Sequence, residues 1–379
     1  MEAIRNDFSV PPGDAAAAGT AANRTPSASG LEGVIAAETR LGEVDGERGH
    51  LVIAGHDVER LAGQVTFEDV VSLLAGGNVG DLATRGAIAE GRVLAFARLP
   101  GLGDALSRES GMDALRAATA HLDESFATPA RLAGAVAVFA AAWARGRKGH
   151  SPVAPDPSLS HAADYLRMID GEAPSAAREQ ALDTYLVTVS DHGMNASTFA
   201  ARVVTSTGSD MVSAVVAAIG TLKGPLHGGA PGPVLDMLDA IGAPESAAGW
   251  IEGELLAGRR IMGMGHRIYR VRDPRAAVLE LATQRLEQAG VRSGRLDLTR
   301  AVERAAEGAL RLKYPNRPLR ANVEFYTAVL LDAIGLDRAA FSPTFAVGRT
   351  AGWCAHAVEQ RAVGKLIRPD SRYIGAKPA

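Results

Sequence analysis

From Leu31 onward, apolar residues recur three and four positions apart, as in FEDVVSLLAGG, PARLAGAVAVFAAAWARG and NVEFYTAVLLDAIGL. That period gives each segment one apolar stripe and predicts a chain built mostly of α-helices. Gly and Pro usually punctuate the segments and set the expected helix ends. Alternation of period two is nearly absent, and HLVIAG near Leu51 is the one stretch that reads as a strand. With no βαβ rhythm and no internal repeat, the expectation is an all-α fold. Residues 1–29, including PPGDAAAAGTAANRTPSASG, carry almost no large apolar side chains and are expected to form a flexible tail. The Pro- and Gly-rich run from Gly224 to Pro233 reads as a hinge between two helical domains, and LEQAGVRSGRLDL as a surface connection.

Length and composition narrow the function by exclusion. A chain of 379 residues has room for a large domain carrying a smaller one, which favours an enzyme over a binding module. Hydrophobic residues make up 47% and charged residues 22%, and no apolar run approaches the length of a membrane span. The formal charge of -3 and pI near 6.3 argue against nucleic acid as the main partner. Basic residues are therefore expected to act locally. Cys354 is the single cysteine, which rules out an internal disulfide framework and any Cys-rich metal centre and fits a reducing cytoplasm. Glu2 and Asp7, with no basic stretch leading into an apolar one, argue against a targeting peptide.

Chemistry concentrates in a few segments. In SDHGMNASTFAARVV, the residues Asp191, His192, Gly193 and Asn195 interrupt an apolar helix pattern, which is costly unless they meet partners or a ligand. They serve equally as a satisfied core histidine and an N-cap. In LKGPLHGGAPGPVLDML, His227 precedes two glycines that let a ligand approach, with a helix expected to begin near Pro233. A nearby positive helix end disfavours charge on the ring, leaving a neutral donor that can polarise a carbonyl; a plain turn has the same look. In IMGMGHRIYRVRDPRAAVL, Gly263, Gly265 and His266 precede Arg267, Arg270, Arg272 and Arg275. Clustered guanidinium forks suit phosphates and carboxylates, while neither a dinucleotide fingerprint nor a P-loop is present. Glu324 opens the apolar helix in ANVEFYTAVLLDAIG, either as a helix N-terminal charge or as a base whose pKa burial raises.

These segments, in this order, resemble the citrate synthase family. The likeness rests on GPLHGGA, GHRIYR with DPRA, NVEFY and IRPDSRYIG, and it extends back through GLEGVIAAETRLGEVDGERGHLVIAG. The resemblance implies an all-α homodimer in which a small domain, expected over 226–332, closes on a large one over 30–225 and 333–379. It implies catalytic roles for His227 on the acyl-CoA carbonyl, His266 on the 2-oxo acid carbonyl, and Glu324 as the base. It implies that His192, Asn195, Arg275, Arg349 and Arg368 hold oxaloacetate, the last reaching across the dimer. Met262, Gly263, Met264 and Gly265 are then expected along the CoA adenine, with Arg270 or Arg272 near a CoA phosphate. Neither a metal nor a tightly bound cofactor is implied; acetyl-CoA, or propionyl-CoA in a 2-methylcitrate synthase, is the co-substrate. The expected reaction deprotonates the thioester and adds the carbanion to oxaloacetate, giving citrate and CoA in the cytoplasm.

The chain departs from the family pattern in places. Glu324 stands where the family usually has Asp, one methylene shorter. Gly193 and Met194 replace an acidic residue after the histidine, and VIAGHD, with His56, replaces a Tyr-Arg-Gly-Tyr run. A catalytically weak paralogue that senses CoA or a dicarboxylate is the rival class; retention of both histidines and the arginines argues against it.

Overall fold

Helices carry nearly all the regular structure, where the 3.6-residue period runs. The computed structural model describes residues 30–376 except Glu32, residues 229–230 and residues 292–294, with the side chain of Pro231 also outside it. The expected tail therefore lies outside the described residues, as do parts of the hinge and of the surface connection. In the segment through Glu38, taken by itself, the Val34 N–H donates to the Leu31 carbonyl at 3.1 Å, and its described residues form no helix or strand.

From Thr39 on, a small sheet comes first: β1 (Gly42–Asp45), β2 (His50–Ile53) and β3 (His56–Asp57). All neighbours are antiparallel, with Gly42 opposite Ile53, Asp45 opposite His50, and Ile53 opposite His56. The predicted strand is thus β2; its two partners, and the exposure of His56 in β3, were not foreseen. Helices α1 (Val58–Leu61), α2 (Phe67–Leu74), α3 (Leu82–Arg98), α4 (Gly111–Thr119) and α5 (Pro129–Gly146) follow. Next come α6 (His161–Asp170), α7 (Ala176–Val189), α8 (Ala196–Ser206), α9 (Met211–Leu222) and α10 (Pro231–Ile241). The chain continues through α11 (Ala247–Leu256), α12 (Pro274–Gln288), α13 (Leu296–Lys313), α14 (Val323–Ala333) and α15 (Phe341–Val363). Helix α10 starts at Pro231, two residues ahead of the expected Pro233, with both prolines inside the first turn where a missing N–H costs nothing.

The core forms around α5, whose residues Leu132–Ala144 are buried on every side, and around α15, buried through most of its length. A helix apolar all round must be wrapped by others; α3, α4 and α6 pack on α5, while α7, α8 and α9 pack on α15. Burial of this kind stabilises by about 25 cal/mol per Å² of apolar surface and holds the polar segments described next.

Candidate active site

The apolar pattern of α7 stops at Val189 and resumes in α8 at Ala196, leaving a polar junction inside the core. Asn195 caps α8: its Oδ1 accepts the N–H groups of Ser197 and Thr198 at 3.1 Å each. Asp191, fully buried, accepts the Gly193 N–H through Oδ2 at 3.0 Å. The open carbonyls at the end of α7 are satisfied from α15, where Arg349 Nε donates to Val189 O and Gly352 N–H to Ser190 O at 3.0 Å. This docking needs a glycine, because a Cβ on Gly352 meets Ser190 O at 2.4 Å and Asp191 Oδ1 at 2.7 Å. Gly352→Ala is expected to lower stability by about 1–3 kcal/mol in a denaturant titration; a loss inside ±0.5 kcal/mol means the junction yields freely.

His192, His266 and Tyr269 form one ring cluster at this junction. The His192 and His266 centroids lie 5.6 Å apart, and Tyr269 sits 4.8 Å from His266. Tyr269 Oη is 3.1 Å from His192 Nε2. The geometry fixes the tautomer of His266. Its Nδ1 accepts the backbone N–H groups of Ile268 at 3.1 Å and Tyr269 at 3.2 Å, so the ring proton resides on Nε2 and that nitrogen donates. Burial, then the Arg275 charge, push the His266 pKa down to about 4, and burial with Arg275 and its neighbours holds His192 well below the usual range. Both rings are neutral near pH 7.

His227 is half-buried in the turn after α9, with Nε2 2.8 Å from Ser197 Oγ. The same oxygen accepts Trp353 Nε1–H at 3.0 Å and lies 2.7 Å from Asn195 Oδ1. Ser197 has a single hydroxyl proton, to be given either to Asn195 or to His227 Nε2; in the second state, Nδ1 carries the His227 hydrogen. Burial and the Arg349 charge hold this ring neutral, with a pKa down to about 4.

Glu324 lies in the first turn of α14, its N–H accepted by the Asn322 cap at 3.0 Å. Its carboxyl is buried, Oε2 has no hydrogen-bond partner, and burial pushes its pKa up to about 7 against the pull of Arg275 and Arg349. Asp273 places it: the Asp273 carboxylate accepts the N–H of Arg275 at 3.0 Å and of Val323 at 3.2 Å, tying the N-termini of α12 and α14 together. The same carboxylate pairs with the Arg275 guanidinium at 2.7 Å. Arg349 stacks its guanidinium 4.7 Å from the Phe345 ring and keeps Nη2 unpartnered. Burial draws its pKa down to about 10. The Arg349 charge acts on His192, His227, Asp191 and Glu324 alike, and so links the two groups of imidazoles.

Other expected site residues stand apart. Met262–Gly265 form a turn leading into a single antiparallel bridge of Met264 with Ala321, with Gly265 N–H to Arg320 O at 2.7 Å and Asn322 N–H to Gly263 O at 2.9 Å. Gly263 has φ +71°, and a Cβ there meets Phe325 at 2.7 Å, so only glycine fits. Arg272 is engaged by Glu280 at 2.7 Å and Glu303 at 2.8 Å, whereas the Arg270 side chain is exposed. Arg368 is exposed beyond α15, next to Ile367, whose N–H donates to Ser206 Oγ at 3.1 Å. Ser206 ends the helix that Asn195 opens, so Arg368 lies at the far end of α8 from His192 and His227.

The family model described as "Citrate synthase, C-terminal domain" matches residues 30–370. The chain belongs to the citrate synthase family. A "Putative citrate synthase 2" of Mycobacterium tuberculosis is 39% identical over 360 residues, covering 92% of this chain and 93% of the relative. The citrate synthase of Haloferax volcanii is 38% identical over 374 residues, covering 92% and 96%. Among solved structures, citrate synthase from Thermotoga maritima superposes with a TM-score of 0.80 at 31% identity, covering 92% of this chain and 96% of that one. The Thermoplasma acidophilum enzyme, in a ternary complex with carboxymethyl coenzyme A and oxaloacetate, gives 0.81 at 26% identity, covering 92% and 96%.

In this citrate synthase family member, the sequence reading missed Ser197, Tyr269, Asp273, Trp353 and His356, which orient the histidines, Arg275 and Asp191. DPRA did carry an N-cap signal for Asp273. Among the described residues, no group of His, Cys, Asp and Glu is arranged to hold a metal ion, and no helix is long and apolar enough to cross a membrane.

Proposed function

We propose that this chain condenses acetyl-CoA with oxaloacetate to give citrate and free CoA. The observation that carries the reading is Glu324: a buried carboxyl with one oxygen unengaged and a pKa near 7, in the field of Arg275 and Arg349. A carboxylate removes the weakly acidic proton beside a thioester only if the enolate oxygen is stabilised as it forms. Under this reading, Glu324 takes that proton and His227 donates Nδ1–H to the thioester oxygen, its Nε2 receiving the Ser197 proton. His266 Nε2–H polarises the oxo group attacked by the carbanion, and hydrolysis of the thioester then releases CoA.

Arg275 and Arg349, with His192 and the segment capped by Asn195, hold the carboxylates of oxaloacetate. The Met262–Gly265 turn lies along the CoA adenine, and the exposed Arg270 takes the phosphate role that the paired Arg272 does not. Residues 226–332 act as the small domain that closes on residues 30–225 and 333–379, excluding water. Arg368, remote from the histidines of its own protomer, completes the site of a second copy in a homodimer. No tightly bound cofactor takes part, and the single buried cysteine fits a cytoplasmic enzyme.

The test is release of free thiol from acetyl-CoA and from propionyl-CoA, each with and without oxaloacetate. Faster oxaloacetate-dependent release from acetyl-CoA is the expected result. Preference for propionyl-CoA turns the assignment to a 2-methylcitrate synthase, a choice that rests on a difference of one methylene, worth roughly 10- to 200-fold. No oxaloacetate-dependent thiol from either thioester overturns the reading.

A further inference from the structure

Helix α15 enters the core, yet His356 is fully buried within it, beside the fully buried Arg202 of α8. A guanidinium only donates, and Arg202 directs Nε at 3.0 Å and Nη2 at 2.7 Å onto His356 Nδ1. Nδ1 is therefore the acceptor, and the ring proton on Nε2 faces Asp191 Oδ1 at 3.2 Å. Glu359 and Gln360 each take a further Arg202 donor and fix it in place. The other Asp191 oxygen accepts the Gly193 N–H at 3.0 Å. Both oxygens of this buried carboxylate are thus held by hydrogen-bond donors.

Arg349 lies two turns before His356 on the same helix face. Asp191 and Arg349 are close enough for each charge to act on the other. Even so, among the described residues Arg349 makes no ion pair, and its Nη2 has no partner. A buried carboxylate deprived of a donor seeks another, and the unfilled Nη2 is the natural one. We propose that His356 is a positioning residue: by holding Asp191, it keeps the Arg349 guanidinium open for a carboxylate of the 2-oxo acid. This rests on the carboxylate-binding reading of Arg349 given above.

The experiment is steady-state kinetics of His356→Leu, His356→Gln and Arg349→Lys, varying oxaloacetate at saturating acetyl-CoA and the reverse. In His356→Leu, Asp191 turns to Arg349, and KM for oxaloacetate is expected to rise about tenfold to a hundredfold, the worth of one hydrogen bond to a charged group. KM for acetyl-CoA stays unchanged, and kcat falls less than about threefold. His356→Gln, which can accept from Arg202 and donate to Asp191, is expected to restore the wild-type KM. If leucine prevents folding, His356→Asn takes its place, keeping an acceptor for Arg202 but falling short of Asp191, with the same expected rise. An unchanged oxaloacetate KM in the Leu or Asn variant, or a Gln variant as impaired as these, overturns the proposal. Arg349→Lys separates the two claims. If it leaves the oxaloacetate KM unchanged, the reading of Arg349 fails; if it raises that KM while His356→Leu does not, only the positioning role fails.

Discussion

Glu324→Gln lowers oxaloacetate-dependent thiol release from acetyl-CoA by about several hundredfold, the usual worth of a general base. The amide keeps the shape of the side chain and removes only its capacity to take a proton. In the wild type, kcat/KM reports the free enzyme, so it is expected to rise with pH through about 7, where the buried carboxyl ionises. The glutamine variant loses that limb. His227 and His266 add no titration there, because both ionise near 4 and are neutral donors above about pH 5. Stability provides a second readout. A carboxyl raised from 4.5 to about 7 binds its proton more tightly when folded, so wild-type stability falls as pH climbs between those values. The Gln variant is therefore expected to melt higher than wild type at pH 8, with little difference at pH 4. A variant that retains more than a tenth of the activity, or the same acid limb, removes Glu324 as the base.

His266→Ala has the second large effect, again about several hundredfold, as for loss of one preorganised donor to a developing oxyanion. Two backbone N–H groups hold Nδ1, which leaves Nε2–H as the only donor and prevents the ring from turning. This loss is independent of pH above about 5, and the limb near 7 set by Glu324 survives in the variant. Rates across pH 5 to 9 separate the two residues. A fall below tenfold, or disappearance of the limb, counts against the assignment.

Much of the fold was legible because burial on one helix face leaves a 3.6-residue trace, as in α2 and α13, while α14, buried almost all round, reads as a nearly unbroken apolar run. Strand β2 was legible because Leu51 and Ile53 are buried on the same side. Its partners were not: β1 has no buried residue and β3 is two residues long, so neither leaves an apolar pattern. The histidines, Glu324 and Arg275 stood out as polar residues in apolar or glycine-rich surroundings. Their working states did not. The donor atom of His266 depends on backbone groups folded back onto it, and the proposed freedom of Arg349 on how a carboxylate in the junction between α7 and α8 is held. The arginine cluster read as one unit divides by partner, Arg275 to Asp273 two residues before it, and Arg272 to Glu280 and to Glu303, the last brought in by a separate helix. His356 left no signal, since one histidine in an apolar helix looks the same whether it orients a neighbour or merely fills space.

Arg349, Gly352, Trp353 and His356 all come from α15 and all touch the stretch from Val189 to Ser197. During synthesis that stretch emerges long before its partners, with bare carbonyls and an acidic side chain awaiting cover. A ribosome-bound chain can assemble many helices and still lack that cover. The junction is covered only when α15 folds onto it, so a chain cut short upstream of that helix is expected to leave these groups exposed.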